Sequence, residues 1–187
     1  VRVADLGAGT LNALPAVCRA ACAAGLAELE YVAVDSDGEL LKKGLEGLDF
    51  EAGAVPPVPP LSRNVNVARG SVTVEGVAVD LALVAADVLE LDSEPFDAVV
   101  AHAFADLVRP EVLAEALVRL GRPGGCVWLP LTYSGVTRFE GPPLSDLDAE
   151  AFEAYGRHLA DVEKQFVDIE RLKTVLYRAN LQFVASG

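Results

Sequence analysis

The chain has 187 residues, 52% of them hydrophobic and 23% charged, and its 15 Lys and Arg against 28 Asp and Glu give a net charge of −13. Those values suit one domain with a sizeable core, or a domain with a helical appendage, and exclude an intrinsically disordered chain. An acidic surface repels phosphate backbones and no Lys/Arg cluster with interleaved aromatics offsets it, which excludes nucleic acid as a partner and favours a small molecule or a protein.

In chain order, Val1, Val3 and Leu6 form an apolar run that ends at an acid, Asp5, and passes into a small-residue turn, Gly7-Ala8-Gly9-Thr10. An Ala/Leu-rich segment from Leu11 to Gly25 follows, with Pro15 in its first turn, so the opening reads as strand, glycine loop and helix, the first half of a βαβ unit. Glycines let the backbone turn sharply and approach a ligand, and the amides at the start of the helix present positive partial charge to the same point. Cys18 and Cys22 lie four apart on one face of this helix and read as two core thiols; with Cys126 they make a sparse, odd set suited to a reducing cytoplasm. No apolar run approaches the roughly 20 residues of a membrane span, so no membrane association is expected.

Leu29 to Asp35 is a second apolar strand closed by an acid, and Asp35-Ser36-Asp37-Gly38 opens a helix to about Leu48. The D-x-D-G string lacks the later ligands of a calcium loop. Glu51 to Ser62 holds four prolines and reads as an irregular loop. Alternation on both sides of Glu75-Gly76, over Ser71 to Val84, predicts a β-hairpin whose second arm is the third sheet strand. That strand runs into Ala86-Asp87-Val88-Leu89, where Asp87 reads by itself as a turn cap. Pro95 to Ala103 is a fourth strand with His102 at its end, and Val108 to Leu120 a helix with a core stripe of Leu113, Leu117 and Leu120. Gly121 to Gly125 is a turn and Cys126 to Leu131 a fifth strand. Beyond it, Thr132 to Pro143 is loop. Phe152 to Leu176 carries one amphipathic stripe, read as two helices meeting near Phe166 to Asp168 or as two with residues missing between them, and Asn180 to Ala185 as a sixth strand.

Asp5-Leu6-Gly7-Ala8-Gly9 resembles the first motif of the class I S-adenosylmethionine-dependent methyltransferases, an acid two residues before G-x-G, with Leu11 standing where the family usually has a third glycine. Ala-Asp-Val-Leu at 86–89, the Phe96-Asp97 strand and Leu120-Gly121-Arg122-Pro123-Gly124-Gly125 resemble later segments of the same family in order, so the likeness covers residues 1 to about 131. The resemblance implies an α/β fold: a Rossmann-like, doubly wound, mostly parallel sheet with helices on both faces, of the seven-stranded type with its last strand missing from this sequence. It divides the chain into a cofactor-binding core, 1–131, and a helical cap or acceptor-side segment with the sixth strand, 132–187. The chain opens inside a strand without a methionine, so an N-terminal piece is expected as well.

By the same resemblance, S-adenosylmethionine is the cofactor. Asp5, Gly7, Ala8 and Gly9 would meet its methionine part, Asp35 with Ser36 its ribose, and Asp87 and Val88 its adenine. His102 would face both cofactor and acceptor. Methyl transfer to a small-molecule acceptor in the cytoplasm is the implied activity, with His102 or Asp106 as candidate catalytic bases and Tyr133, Arg138, Tyr155 and His158 as candidate acceptor-pocket residues. A solvated surface histidine is the competing reading of His158. Two other functions are weighed against this one: a non-catalytic cofactor-binding or scaffold domain of the same fold, and an NAD(P)-dependent oxidoreductase. The latter wants G-x-G-x-x-G, where the register here gives Gly7, Gly9 and Asn12. Oligomeric state and the acceptor's identity are not legible.

Overall fold

A computed structural model describes residues 1–53, 65–105, 107–131, 150, 153–154, 169–182 and 184. Its strands are β1 (Arg2–Leu6), β2 (Glu28–Asp35), β3 (Glu51–Ala52), β4 (Val65–Val74), β5 (Val77–Ala85), β6 (Phe96–Val100) and β7 (Gly121–Trp128). The helices are α1 (Leu14–Ala23), α2 (Gly38–Lys43), α3 (Pro110–Leu120) and α4 (Ile169–Arg178), with a 3₁₀ turn at Val88–Glu90. All seven strands join one sheet in the order β3-β4-β5-β2-β1-β6-β7. The run β5-β2-β1-β6-β7 is parallel throughout, and β4 and β3 extend it antiparallel beyond β5. The architecture is the expected mostly parallel, Rossmann-like α/β arrangement.

The parallel strands are apolar on both faces because helices cover both. On one face Val3, Tyr31, Ala33, Val79, Leu81 and Leu83 pack with Leu14 and Cys18 of α1 and Leu41 of α2. On the other, Ala4, Leu6, Val32, Val34, Phe96 and Val99 pack with Leu113, Leu117 and Leu120 of α3 and Leu172 of α4. The alternation within each strand is the period-2 pleat sending successive side chains to opposite layers. The hairpin forms at the expected place: Glu75 (φ +52°) and Gly76 (φ +78°) are both left-handed, the two-residue turn whose twist matches that of the flanking strands.

Several boundaries differ from expectation, each for a local reason. α1 begins at Leu14 rather than Leu11, because Leu11 is left-handed (φ +62°) and cannot continue a helix backward. Cys22 is exposed, so only Cys18 of that pair is a core thiol. α2 stops at Lys43, capped by Gly44, and the chain proceeds through turns to Leu48, with Gly47 left-handed. Glu51 and Ala52 pair with Ser71 and Gly70 as a short edge strand where loop was expected. β7 starts at Gly121, opposite Phe96, and resumes pairing only at Cys126, opposite Ala98; the expected turn is therefore an excursion within the strand, held by an ion pair between Arg122 and Asp97.

The sixth strand expected over Asn180 to Ala185 is not formed at Asn180–Gln182 or Val184. Asn180 (φ +63°) instead ends α4: its amide donates to the Tyr177 carbonyl and that of Leu181 to the Leu176 carbonyl, the paired bonds of a helix-terminating αL cap. The seven strands thus include β3 and β4 on the β5 side.

α3 gives a direct test of this packing. Leu117 is fully buried while its neighbour Val118 is 51% exposed. Leu117→Ala is expected to cost about 2–5 kcal/mol in chemical denaturation, and Val118→Ser less than about 0.5 kcal/mol. Similar costs at both positions would contradict the assigned helix face.

Candidate functional site

In a parallel sheet every strand ends on the same side, and neighbouring crossovers diverge where the strand order reverses. Here that point lies between β1 and β6, with β2 on the other side of β1. Four of the expected groups lie at or just past the carboxyl ends of adjacent strands: Asp5 and Gly7 to Gly9 at β1, Asp35 and Ser36 at β2, Asp87 and Val88 after β5, and His102 after β6.

The loop after β1 is built on β2. The Gly7 and Ala8 amides both donate to the Val34 carbonyl (2.8 and 3.0 Å), and the Gly9 amide donates to Asp35 Oδ2 (2.9 Å). Gly7 (φ +71°) and Gly9 (φ +50°) are left-handed for different purposes. A Cβ on Gly7 would run into the ring of Phe104, which packs on the loop, whereas a Cβ on Gly9 would meet nothing within 4 Å. Open space therefore lies beside bare backbone at Gly9. Asp35 also accepts from the Asp37 amide through Oδ1 (2.9 Å), and its own carbonyl accepts from the Ala86 amide (2.9 Å), tying the ends of β2 and β5 together. Asp37 in turn caps α2, accepting from the Glu39 and Leu40 amides.

Asp5 is the one charged side chain in the core among the described residues, only 1% exposed. Its Oδ2 accepts from the Tyr31 hydroxyl (2.7 Å), and its buried Oδ1 has no hydrogen-bond partner among them. Burial disfavours the ionised form and pushes the carboxyl up to about 6; the Tyr31 hydrogen bond and then His102 oppose the rise, and the nearby Asp35 adds to it. Tyr31, likewise buried, is held well above the ordinary phenol range by desolvation and by Asp5.

Asp87 and Val88 form the next strand end. Asp87 is exposed and caps the 3₁₀ turn by accepting from the Leu89 amide (2.9 Å), so it performs the simple capping role whatever else it binds. Val88 is buried, leaving its backbone as the polar part of the position. His102 is exposed, followed by left-handed Ala103 (φ +53°), whose amide donates to the Pro130 carbonyl (2.9 Å) beyond β7. Asp106, Tyr133, Arg138, Tyr155 and His158 lie outside the described residues.

Two contributors escaped the sequence reading. Tyr31 carries the one hydroxyl in the run Glu28–Asp35, and a buried tyrosine hydroxyl needs a partner; that alone could have pointed to Asp5 two strand positions away on the same face. Phe104 gave no such signal, because its contact with Gly7 depends on the turn after β6. A separate groove of about 580 Å³ between α3 and α4, lined by Ala114, Val118, Val175 and Ala179 among others, includes none of the strand-end residues. No protein-family model and no curated protein sequence matches the chain.

The Asp5 environment sets a pH dependence of stability. Its folded value of about 6 exceeds the ordinary 3.8, so its favourable contribution is complete below about pH 3.8 and lost as pH rises to 6 and beyond. Between pH 4 and pH 8 this group should cost the wild type about 2–3 kcal/mol of unfolding free energy. Asp5→Asn should lack that component, and denaturation series at the two pH values for both proteins would reveal it. Identical pH dependence in the two would contradict the assigned burial.

Proposed function

We propose that the chain is an S-adenosylmethionine-dependent methyltransferase acting on a small-molecule acceptor. The observation that carries this reading is the succession of Asp5 and the Gly7–Gly9 turn, Asp35, Asp87-Val88 and His102 along the carboxyl ends of neighbouring parallel strands, beside the point where strand order reverses. A dinucleotide-type glycine loop alone would be a weaker signal; here an acid also stands at the end of β2 and another just past β5, the next two strands on that side.

The residues fit the cofactor on two counts. Asp5 Oδ1 is a buried acceptor in want of a donor, which an amino-acid ammonium group provides, and the open space at Gly9 lets a ligand pack against backbone. S-adenosylmethionine, when bound, supplies a methyl group activated on a sulfonium centre. Asp35 would accept from the ribose hydroxyls with the lone pairs left after Gly9 and Asp37, Asp87 would accept from the adenine amino group, and the Val88 amide would donate to the ring. His102 would take the acceptor's proton on an imidazole nitrogen, with Asp106 as the second candidate. Beyond that proton the protein's work is alignment and exclusion of water. The net charge of −13 supports a small acceptor over a nucleic acid.

Calorimetric titration with S-adenosylmethionine, S-adenosylhomocysteine and NADH is the primary test: micromolar binding of the first two alone is expected, and binding of none, or of NADH alone, would sink the reading. Asp35→Ala should weaken S-adenosylhomocysteine binding by about 1.5–3 kcal/mol, through lost ribose contacts and an unanchored Gly9 amide. Undiminished affinity would remove Asp35 from the site.

A further inference from the structure

Tyr31 lies in the middle of β2, fully buried, and spends its one hydroxyl donor on Asp5 rather than on backbone. The groups that act electrostatically on this pair come from three further places: Asp35 at the end of β2, His102 after β6 and Cys18 of α1. Asp35 disfavours a charged Asp5, His102 favours it, and Cys18 acts on Tyr31. A carboxylate cut off from water, 1% exposed, keeps its charge only if donors hold it, and Tyr31 holds one oxygen and leaves the other without a partner.

We propose that Tyr31 is a positioning residue for the ligand site: by tying Asp5 Oδ2 it keeps the carboxylate anionic and leaves Oδ1 available to a cationic amino group of the ligand. The inference rests on the proposed function and adds to it a second residue, acting through Asp5, that sets when the site is competent. A protonated Asp5 offers no charge to an ammonium group, so ligand retention should follow Asp5 ionisation. Losing the hydroxyl removes the largest influence that favours the anion.

The test is calorimetric affinity for S-adenosylhomocysteine from pH 5 to pH 8, alongside 5′-methylthioadenosine, which has the nucleoside but no amino-acid portion. In the wild-type protein, S-adenosylhomocysteine affinity should fall as pH drops through about 6, and 5′-methylthioadenosine affinity should stay level. Tyr31→Phe keeps the ring and should move the midpoint upward by about one pH unit, with wild-type affinity regained at pH 8 and above. Asp5→Asn should bind S-adenosylhomocysteine weakly and without pH dependence in this range. A wild-type midpoint in Tyr31→Phe, or in Asp5→Asn should Tyr31→Phe fail to fold, overturns the role of the pair while leaving the cofactor reading intact. A wild-type protein that binds neither ligand at any pH overturns the cofactor reading itself.

Discussion

Five parallel strands covered by helices on both faces leave polar chemistry little room except at the strand ends. Within β1, β2, β5 and β6 most central positions are apolar on both sides of the pleat, since each faces one of two packed layers. The acids inside the ladder, Glu30, Asp80 and Asp97, are part-exposed and ion-paired with Arg2, Arg69 and Arg122, whereas Asp35 and Asp87 stand where it stops, at the last residue of β2 and two residues past β5. The strand order then decides which of these ends are neighbours. Because β1 lies between β2 and β6, the loop after β1 can be hydrogen-bonded to the end of β2 and packed by a residue following β6. The site is a consequence of sheet topology before it is a matter of any side chain.

Asp5 is the exception, and its cost is informative. A buried carboxylate with one unpartnered oxygen destabilises a fold unless something else requires it. The same end of the sheet also concentrates backbone strain. Ala103 is left-handed without being glycine, and the turn it belongs to delivers Phe104 onto Gly7, where a larger residue than glycine could not stand. Such conformations cost on the order of 1–3 kcal/mol each and persist where the surroundings over-determine them. Here the determinants are the Ala101 and Ala103 amides, bonded to the Trp128 and Pro130 carbonyls. An orphaned acid and a strained turn thus stand together at one strand-order reversal, where the proposed site lies.

Much of this was legible in the residues. An apolar run closed by an acid gave β2, the alternation about Glu75-Gly76 gave the hairpin and its second arm β5, and the Leu113-Leu117-Leu120 stripe gave the buried face of α3. What sequence could not supply depended on contacts between distant segments. β3 exists because Glu51 and Ala52 meet Ser71 and Gly70, not because two residues have strand character. The Asn180 segment looked extended by composition, yet the α4 carbonyls at Leu176 and Tyr177 bind the next amides and bend it into a cap. Of the candidate site, the acids and glycines were visible as a pattern, but the Tyr31–Asp5 bond and the Phe104–Gly7 contact are products of register and crossover.

Leu11 shows how a departure from an expected motif can be absorbed. The position calls for a left-handed residue, and Leu11 adopts φ +62° although glycine would do so without steric cost. Its side chain is 3% exposed and packs into the layer beneath α1 and α2, and burying a leucine is worth roughly 1.5–3 kcal/mol against about 1–2 kcal/mol for the left-handed backbone. Room for it comes from Gly44 at the end of α2, where an added Cβ would lie 2.7 Å from Leu11 Cγ. Gly44 is therefore the small residue that lets α2 lie against the loop at Leu11. The loop thus holds a left-handed residue at position 11 without a glycine there, so glycine spacing alone is a poor measure of whether such a loop can form.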